Sequence, residues 1–263
     1  SGSSISRFKE FPKLVSGISR ESADRAFEIY KKFTNPVKVS SARAAELAKI
    51  AEGVYRDINI AIANELFKVA EHYNVDFWEM REAARHQFCN ILEPGIVGGH
   101  CIPVYPWFLI NDFKVPLTAA ARKLNEEMAN YYAKKVDAIG GKKVGVVGLS
   151  YREGVKEKAY GKQELIKLLK KKGYNVYGLD PLFSKEEIEK GFNSKHLKDF
   201  NEMDVIILAN KEFKYRDKLK AIKNKPKPVS KIYFDSKPKI RMPKPKIMPP
   251  IAVKKMPRIL RYF

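Results

Sequence analysis

One long helical pattern constrains the fold of this chain more than any other feature of its sequence. Ser40 and Ser41 can cap a helix that we predict from Ala42 to Tyr73. At about 1.5 Å per residue, such a helix exceeds roughly 40 Å and is longer than most helices of single domains. We therefore expect it to dimerise the chain by packing against a second copy. Its apolar stripe consists of Ala45, Ala48, Ala51, Tyr55, Ile58, Ile62, Leu66 and Val69.

The residues on either side of this helix predict a small strand-helix-strand unit and a helical region. Because so short a unit cannot bury both faces of a parallel sheet, we interpret residues 1–40 as the end of a domain whose beginning is absent. Residues 41–140 are predicted to form an all-helical central domain with one elaborate loop. The predicted elements are strand Leu14–Ile18, helix Glu21–Phe33, strand Val37–Val39 and the helices Phe77–Arg85 and Leu117–Ile139.

Residues 141–236 show a second pattern, in which short apolar runs alternate with helical periodicity. This alternation is typical of a parallel sheet with right-handed crossovers. The predicted fold class is therefore α/β, with the helical central domain followed by a Rossmann-like parallel-sheet domain. The predicted elements are strand Lys143–Val147, helix Lys162–Lys172, strand Asn175–Leu179, helix Lys185–Lys190, strand Val205–Ala209 and a last strand Ile232–Asp235.

The positive charge of the chain is concentrated near its end. The net charge is +21, and residues 223–263 alone carry 13 Lys and Arg residues against one acidic residue. Because the same segment holds eight of the 15 prolines, we predict that residues 237–263 form an extended basic tail. A solvated extension explains such a tail more simply than nucleic-acid binding, because few aromatic residues separate its charges. We therefore do not expect nucleic acid as a partner.

The remaining composition excludes several classes of protein. No run of about 18 apolar residues is present, so we expect no membrane span. Two cysteines, Cys89 and Cys101, are too few for a disulfide framework, and four scattered histidines do not predict a metal site. We therefore expect a cytoplasmic protein with reduced thiols and no bound metal.

The densest chemical signal is the loop from Asn90 to Pro106, which is rich in Gly and Pro and contains His100 and Cys101. Glycines let backbone N–H groups approach a ligand, and prolines stiffen the loop. A cysteine held there can act as a nucleophile if a cation or a helix N-terminus favours its thiolate. Taken from composition alone, a small buried cysteine that merely fills space in a tight loop explains the pattern better than a nucleophile does.

Three motifs in order resemble the nucleotide-sugar 6-dehydrogenases, the family of UDP-glucose and UDP-N-acetylmannosamine dehydrogenases. Gly98-Gly-His-Cys-Ile-Pro103, with Asn90-Ile-Leu-Glu-Pro-Gly95 before it, resembles the catalytic loop of that family. Tyr55-Arg-Asp-Ile-Asn-Ile-Ala61 resembles its central dimerisation helix, in wording closest to the acetylmannosamine branch. Gly145-Val-Val-Gly-Leu-Ser-Tyr151 resembles the domain that holds UDP. The resemblance covers residues 12–235.

The resemblance implies oxidation of the C6 alcohol of a UDP-hexose to the uronate, in polysaccharide biosynthesis, with NAD as cofactor and a cysteine thiohemiacetal as intermediate. UDP-N-acetylmannosamine is the implied sugar. Cys101 matches the nucleophile, and Lys49 matches the lysine that stabilises the oxyanion; without the family, Lys49 is a solvated charge on a helix. The residues implied to bind substrate are Arg56, Asn90, Gly95, Gly98, Gly99, His100, Tyr151 and Arg152.

The sequence also departs from the family pattern. Gly53 replaces an asparagine four residues after Lys49, in a helix interior where Gly costs about 1 kcal/mol relative to Ala, and Tyr105 replaces an aspartate. No Gly-x-Gly-x-x-Gly turn is present, and Gly145-x-x-Gly148 is too weak a signal for a dinucleotide. We therefore interpret residues 1–40 as a remnant of the NAD-binding domain, so that NAD would come from a separate chain or from absent residues. A catalytically inactive module for nucleotide-sugar binding or dimerisation remains the alternative.

Overall fold

A computed structural model describes residues 8–152, 154–210 and 230–233 of the chain; only the backbone is described for residues 152 and 230–233. These residues form a small parallel strand pair, a layer of helices and a five-stranded parallel sheet. In these ranges no helix has the length and apolarity of a membrane span. The predicted basic tail, residues 237–263, lies outside the described residues.

The N-terminal unit has the predicted strand-helix-strand order. Strand β1 (Lys13–Val15), helix α1 (Arg20–Lys31) and strand β2 (Pro36–Lys38) follow one another, and β1 pairs with β2 in parallel. Apolar side chains of this unit stay partly uncovered: Leu14 and Val37 are 43% and 45% exposed.

The long helix has nearly the predicted bounds. Helix α2 (Ala42–His72) begins where the Ser41 side chain accepts a hydrogen bond from the Ala44 N–H, at 3.2 Å. It is followed by α3 (Phe77–Ala83), α4 (Tyr105–Ile110) and α5 (Pro116–Ile139). We call residues 90–104, which connect α3 to α4, the glycine-rich loop.

Helix α2 packs against α5 through a face that differs from the predicted apolar stripe. The buried positions of α2 are Gly53, Val54, Asp57, Ala61, Ala63, Asn64 and Ala70. In contrast, Tyr55, Ile62 and Val69 of the stripe are 69%, 48% and 40% exposed. Leu66 of the stripe packs beside Phe77 and Trp78 of its own chain, but the exposed positions Tyr55, Ile62 and Val69 stay available to another molecule.

The sheet follows the helices and has the strand order β7-β6-β3-β8-β9, with all neighbours parallel. Both faces of its centre are covered, because every residue of β8 is buried and Val144, Val146 and Val147 of β3 are fully buried. Its elements are β3 (Lys143–Val147), α6 (Tyr160–Lys171), β6 (Asn175–Leu179), α7 (Lys185–Gly191), β7 (Lys195–His196), β8 (Val205–Leu208) and β9 (Ser230–Tyr233). The predicted α/β fold class, with a helical region before a Rossmann-like sheet, is confirmed.

Helix α5 belongs to both layers. Near its start it packs on α2, and in its second half Met128, Tyr132 and Val136 are fully buried in the core beneath the sheet. One continuous helix thus connects the two regions without a linker. The boundaries placed by sequence at residues 40, 140 and 236 stay predictions.

Several elements were not expected from the sequence, among them helix α4, a hairpin after β3 and the short strand β7. Helix α4 begins inside the predicted loop, because Pro106 occupies the first helical turn, where a missing N–H costs nothing. After β3, the chain forms an antiparallel hairpin, β4 (Ser150–Arg152) and β5 (Val155–Lys158), before α6 begins. This hairpin brings Tyr151 of β4 next to the glycine-rich loop.

Candidate active site

The glycine-rich loop is attached to α2 by the side chain of Asn64. Its amide oxygen accepts from the Gly95 N–H at 2.7 Å, and its amide nitrogen donates to the Gly95 carbonyl at 3.1 Å. Asn64 thus satisfies both backbone groups of Gly95 as a neighbouring strand would. Because Asn64 is fully buried in a helix, this bond pair fixes the start of the loop relative to the helical layer.

A buried polar network supports Asn64 from below. Its amide nitrogen also donates to Asn125 Oδ1 at 2.9 Å, and Asn125 donates to the carboxylate and the carbonyl of Asp57, both at 2.9 Å. Arg122 of α5 donates to the same carboxylate, and both charged side chains are almost completely buried. Burial raises the pKa of Asp57, while Arg122 and Asn125 oppose that rise. The network therefore joins α2, α5 and the loop through partners that water does not replace.

The middle of the loop lies against the hairpin that follows β3. A Cβ on Gly99 would lie 2.9 Å from the ring of Tyr151, and one on Gly98 would lie 3.4 Å from it. Gly99 also has a φ of +85°, which favours glycine. Glycine is thus required at position 99, where the ring of Tyr151 covers the backbone.

The loop also contacts α6. A Cβ on Gly161, at the start of α6, would lie 2.1 Å from Ile96 Cγ2 and 2.8 Å from the Val97 carbonyl oxygen. One residue beyond the glycine pair, His100 Nδ1 lies 2.8 Å from Glu157 Oε1 of β5. The loop is therefore held between the helical layer and the sheet region.

A cleft of about 810 Å³ opens beside the loop, between α5 and α6. Such a volume fits a drug-sized or cofactor-sized ligand. Its lining includes Gly99, His100, Trp107, Arg122, Tyr160 and Glu164. Two of the residues predicted to bind substrate, Gly99 and His100, therefore line a cleft of suitable size.

Cys101 lies at the exposed end of the loop, close to Lys49 of α2. Lys49 donates to Glu52 at 2.9 Å, and this bond, followed by the charges of Glu52, Tyr105 and Cys101, raises the pKa of the Lys49 ammonium. A raised pKa keeps Lys49 charged at neutral pH. The structure thus places a cation within electrostatic reach of the cysteine.

The other predicted site residues are distributed unevenly. Gly95 is fixed by its hydrogen bonds with Asn64. Arg56 is exposed on α2, next to buried Asp57, and Asn90 is exposed at the start of the loop, five residues before Gly95. Arg152 ends β4, and only its backbone is described. The structure brings Gly98, Gly99 and Tyr151 together, and Lys49 near Cys101; Arg56 and Asn90 lie outside both groups.

Sequence analysis missed the residues that hold this site. Asp57, Asn64, Arg122 and Asn125 are polar residues on helices, for which no buried network was predicted. The available signal was their position: Asp57, Ala61 and Asn64 recur at helical spacing on the face opposite the apolar stripe. Polar residues at buried helical spacing indicate a hydrogen-bonded network rather than a solvated face.

The described residues do not fit a nicotinamide dinucleotide. A pyrophosphate needs a glycine-rich turn that leads from a strand into an open helix N-terminus. After β3, the chain enters a hairpin, and the Asn210 side chain fills the space above Gly148, 2.0 Å from a Cβ placed there. At α1, Ser19 and Ser22 close the helix N-terminus with a reciprocal capping box. The described part likewise has no cluster of three or more metal-ligating side chains.

The carboxyl end of the sheet carries a second buried polar cluster. The Ser150 N–H donates to Asp180 at 2.7 Å, and Lys162 donates to the Ser150 carbonyl at 2.6 Å. Asn210 donates to the Ser150 hydroxyl at 3.2 Å. In open parallel sheets, ligands bind at this edge. Here the bonds fix the residue that precedes Tyr151, and so orient the hairpin toward the loop.

Comparisons with known proteins agree with this arrangement. Residues 43–127 match the model for the central domain of the UDP-glucose/GDP-mannose dehydrogenase family. A UDP-N-acetyl-D-mannosamine dehydrogenase from Methanocaldococcus jannaschii is 35% identical over 254 residues, which cover 90% of this chain and 57% of that protein. One from Campylobacter jejuni is 34% identical, over 59% of this chain and 40% of that protein. The chain spans about half the length of the curated relatives it matches.

Two solved structures share the fold. A UDP-glucose dehydrogenase from Pyrobaculum islandicum superposes with a TM-score of 0.76 at 21% identity, covering 90% of this chain and 58% of that one. A UDP-D-ManNAc dehydrogenase from Pyrococcus horikoshii gives a TM-score of 0.72 at 23% identity, covering 89% and 62%. The order of a helical layer and a Rossmann-like sheet is thus common to all three.

Proposed function

We propose that this chain, whose residues 43–127 match the central domain of the UDP-glucose/GDP-mannose dehydrogenase family, provides the nucleophile and the nucleotide-sugar site of a 6-dehydrogenase. The substrate is a UDP-hexose. We favour UDP-N-acetylmannosamine, because the relatives from Methanocaldococcus jannaschii and Campylobacter jejuni are named as dehydrogenases of that sugar. The observation that carries the proposal is the position of Cys101 beside Lys49, at the end of a loop fixed on both sides.

The step that these residues support is addition of Cys101 to an aldehyde at C6 of the sugar. The Cys101 sulfur forms a bond to the carbonyl carbon, and the carbonyl electron pair moves to oxygen, which becomes an oxyanion. The Lys49 ammonium stabilises that oxyanion and can protonate it, giving a thiohemiacetal. Lys49 suits this task because its pKa is raised and it stays charged.

We assign the nucleotide part of the substrate to the region between the loop and the sheet. Tyr151 covers Gly98 and Gly99 and therefore lies between the nucleophile and the carboxyl end of β3. The cleft beside the loop, with Tyr160 and Arg122 in its lining, can receive a sugar nucleotide. Arg152 is the cation that the sequence suggests for the phosphates.

The family implies NAD as the oxidant. The described residues do not fit NAD, so we derive no step through it. We assign to this chain the binding of the UDP-sugar and the covalent step. Two free cysteines agree with a reducing compartment, and we place the reaction in the cytoplasm, in polysaccharide biosynthesis.

The test is formation of a covalent adduct between Cys101 and a UDP-hexose 6-aldehyde, which needs no oxidant. We expect the aldehyde, but not the corresponding alcohol, to protect Cys101 from iodoacetamide, as measured by peptide mass spectrometry. Lys49→Ala should weaken the protection, and Lys68→Ala, on the same helix, should leave it unchanged. Binding of the UDP-sugar without protection by the aldehyde would instead favour the inactive nucleotide-sugar-binding module.

The same proposal includes a homodimer through α2. Tyr55, Ile62 and Val69 are exposed apolar residues at heptad spacing, which is the pattern of a helix that packs against a second helix. Ile62→Asp, at a position that is 48% exposed in one chain, should dissociate the dimer by placing a charge in a dry interface. Ile29→Asp on α1, also on exposed apolar surface, is the matched control. Sedimentation of the wild type as a monomer would refute the dimer.

A further inference from the structure

Gly53 and Tyr105 occupy the same space, although they are far apart in sequence. Gly53 lies in the interior of α2 and is buried. A Cβ placed on it would lie 2.3 Å from Cδ2 of the Tyr105 ring and 2.9 Å from its Cβ. No side chain fits at position 53 while the ring stays where it is. Glycine destabilises a helix interior relative to alanine. Its presence at position 53 is explained by the space that the Tyr105 ring occupies, and we call this contact the seat of the ring.

The backbone fixes the Tyr105 ring one turn from Cys101. The Tyr105 N–H donates to the Cys101 carbonyl at 2.9 Å, and the Val104 N–H donates to the same oxygen at 3.1 Å. Pro106 is buried directly after Tyr105 and restricts the first turn of α4. These bonds and the buried proline fix the backbone of Tyr105 relative to that of Cys101.

The same arrangement brings Tyr105 to Lys49. Lys49 precedes Gly53 by one helical turn and lies on the same side of α2. The charges of Tyr105 and Cys101 both raise the pKa of its ammonium. The ionisable groups that act on the Tyr105 hydroxyl are Cys101, Lys49 and Glu52.

The hydroxyl of Tyr105 keeps its proton in this environment. A hydrogen bond with the Cys101 side chain is the largest cause that raises the pKa of Tyr105, followed by burial and the charge of Cys101. Lys49 acts in the opposite direction. A phenol that stays protonated beside a sulfur atom is a hydrogen-bond donor to that sulfur.

We propose that Tyr105 is a positioning residue for the Cys101 thiolate, with its ring seated on Gly53 and its hydroxyl donating to the sulfur. When the Cys101 proton leaves for solvent, the phenol keeps its own proton and holds the thiolate beside Lys49. A hydrogen bond to the charged form favours ionisation of the thiol. The inference rests on the proposed role of Cys101 as the nucleophile.

Tyr105→Phe tests the hydroxyl without removing the ring from its seat. The rate of Cys101 alkylation by iodoacetamide, measured against pH, should shift its midpoint upward by about half to one pH unit. Near neutral pH the rate should fall about three- to tenfold, and it should converge with the wild-type rate at high pH, where the thiol is fully ionised. Tyr73→Phe, an exposed tyrosine at the end of α2, should leave the profile unchanged.

Gly53→Ala tests the seat itself. Displacement of the ring should slow alkylation near neutral pH by a similar factor, whereas in a Tyr105→Ser background the same substitution should have no further effect. Thermal unfolding checks that the variants stay folded. A Tyr105→Phe profile that coincides with the wild type would overturn the role of Tyr105 and leave Cys101 as the nucleophile. A wild-type Cys101 that reacts no faster than Cys89 would instead overturn the proposed function.

Discussion

The two sides of the glycine-rich loop are held by different kinds of interaction. On the side of the helices, Gly95 bonds to a buried network that contains an ion pair, Asp57 with Arg122. On the side of the sheet, glycines pack closely on Tyr151, and the polar contact between His100 and Glu157 involves a histidine side chain that is 78% exposed. The start of the loop therefore depends on desolvated polar partners, whereas its end depends on close packing.

The largest expected effect is therefore on the helical side. Arg122→Ala leaves the Asp57 carboxylate buried without its cation, and removal of one partner of a buried pair costs about 3–5 kcal/mol. We expect a loss of that size in the free energy of unfolding, measured by urea denaturation. Lys123→Ala, at the exposed neighbouring position, should change it by less than about 0.5 kcal/mol. Equal effects of the two variants would contradict the comparison.

Asn64→Ala should have the second-largest effect. It leaves both backbone groups of Gly95 without their partner, and each unsatisfied buried polar group costs about 1–3 kcal/mol. Since water can reach the half-buried loop, we expect a total loss of about 2–3 kcal/mol. Hydrogen exchange should show the local effect directly, because the Gly95 amide loses its acceptor. Unchanged protection of that amide would show that Asn64 does not anchor the loop.

The sequence was sufficient for the parts of this structure that depend on local periodicity. Helix α2 ends one residue before its predicted end, and strands β3 and β6 have their predicted bounds. The Asn64 anchor could not be predicted, because its partner Gly95 is 31 residues away. Tyr105 and Gly53 were both recognised as departures from a family pattern, but only the fold shows that they touch.

Gly161→Ala tests the packed side of the loop. The new methyl group would collide with Ile96 and with the Val97 carbonyl oxygen, which belongs to the backbone and cannot rotate away. Overpacking of this kind costs about 1–3 kcal/mol, and we expect the lower part of that range because the sheet side has exposed surface. Gly191→Ala is the matched control, since its methyl group would meet only the flexible end of Lys158. Thermal unfolding should separate the two variants.

The smallest expected effect is at His100. His100→Ala removes a contact with Glu157 in which the histidine side chain is mostly exposed, and exposed pairs contribute about 0–1 kcal/mol. We expect a change in the free energy of unfolding below about 1 kcal/mol, again measured in urea. A loss as large as that of Asn64→Ala would show that the loop is held equally on both sides.

The contact between Gly53 and Tyr105 also limits the order in which this sequence can change. Any larger residue at position 53 collides with the ring, so such a mutation displaces the ring unless position 105 has already lost it. The reverse order, an aromatic residue arriving at 105 over a helix that carries a side chain at 53, is blocked by the same collision. The contact therefore couples the side chains that the two positions can carry, although 52 positions separate them along the chain.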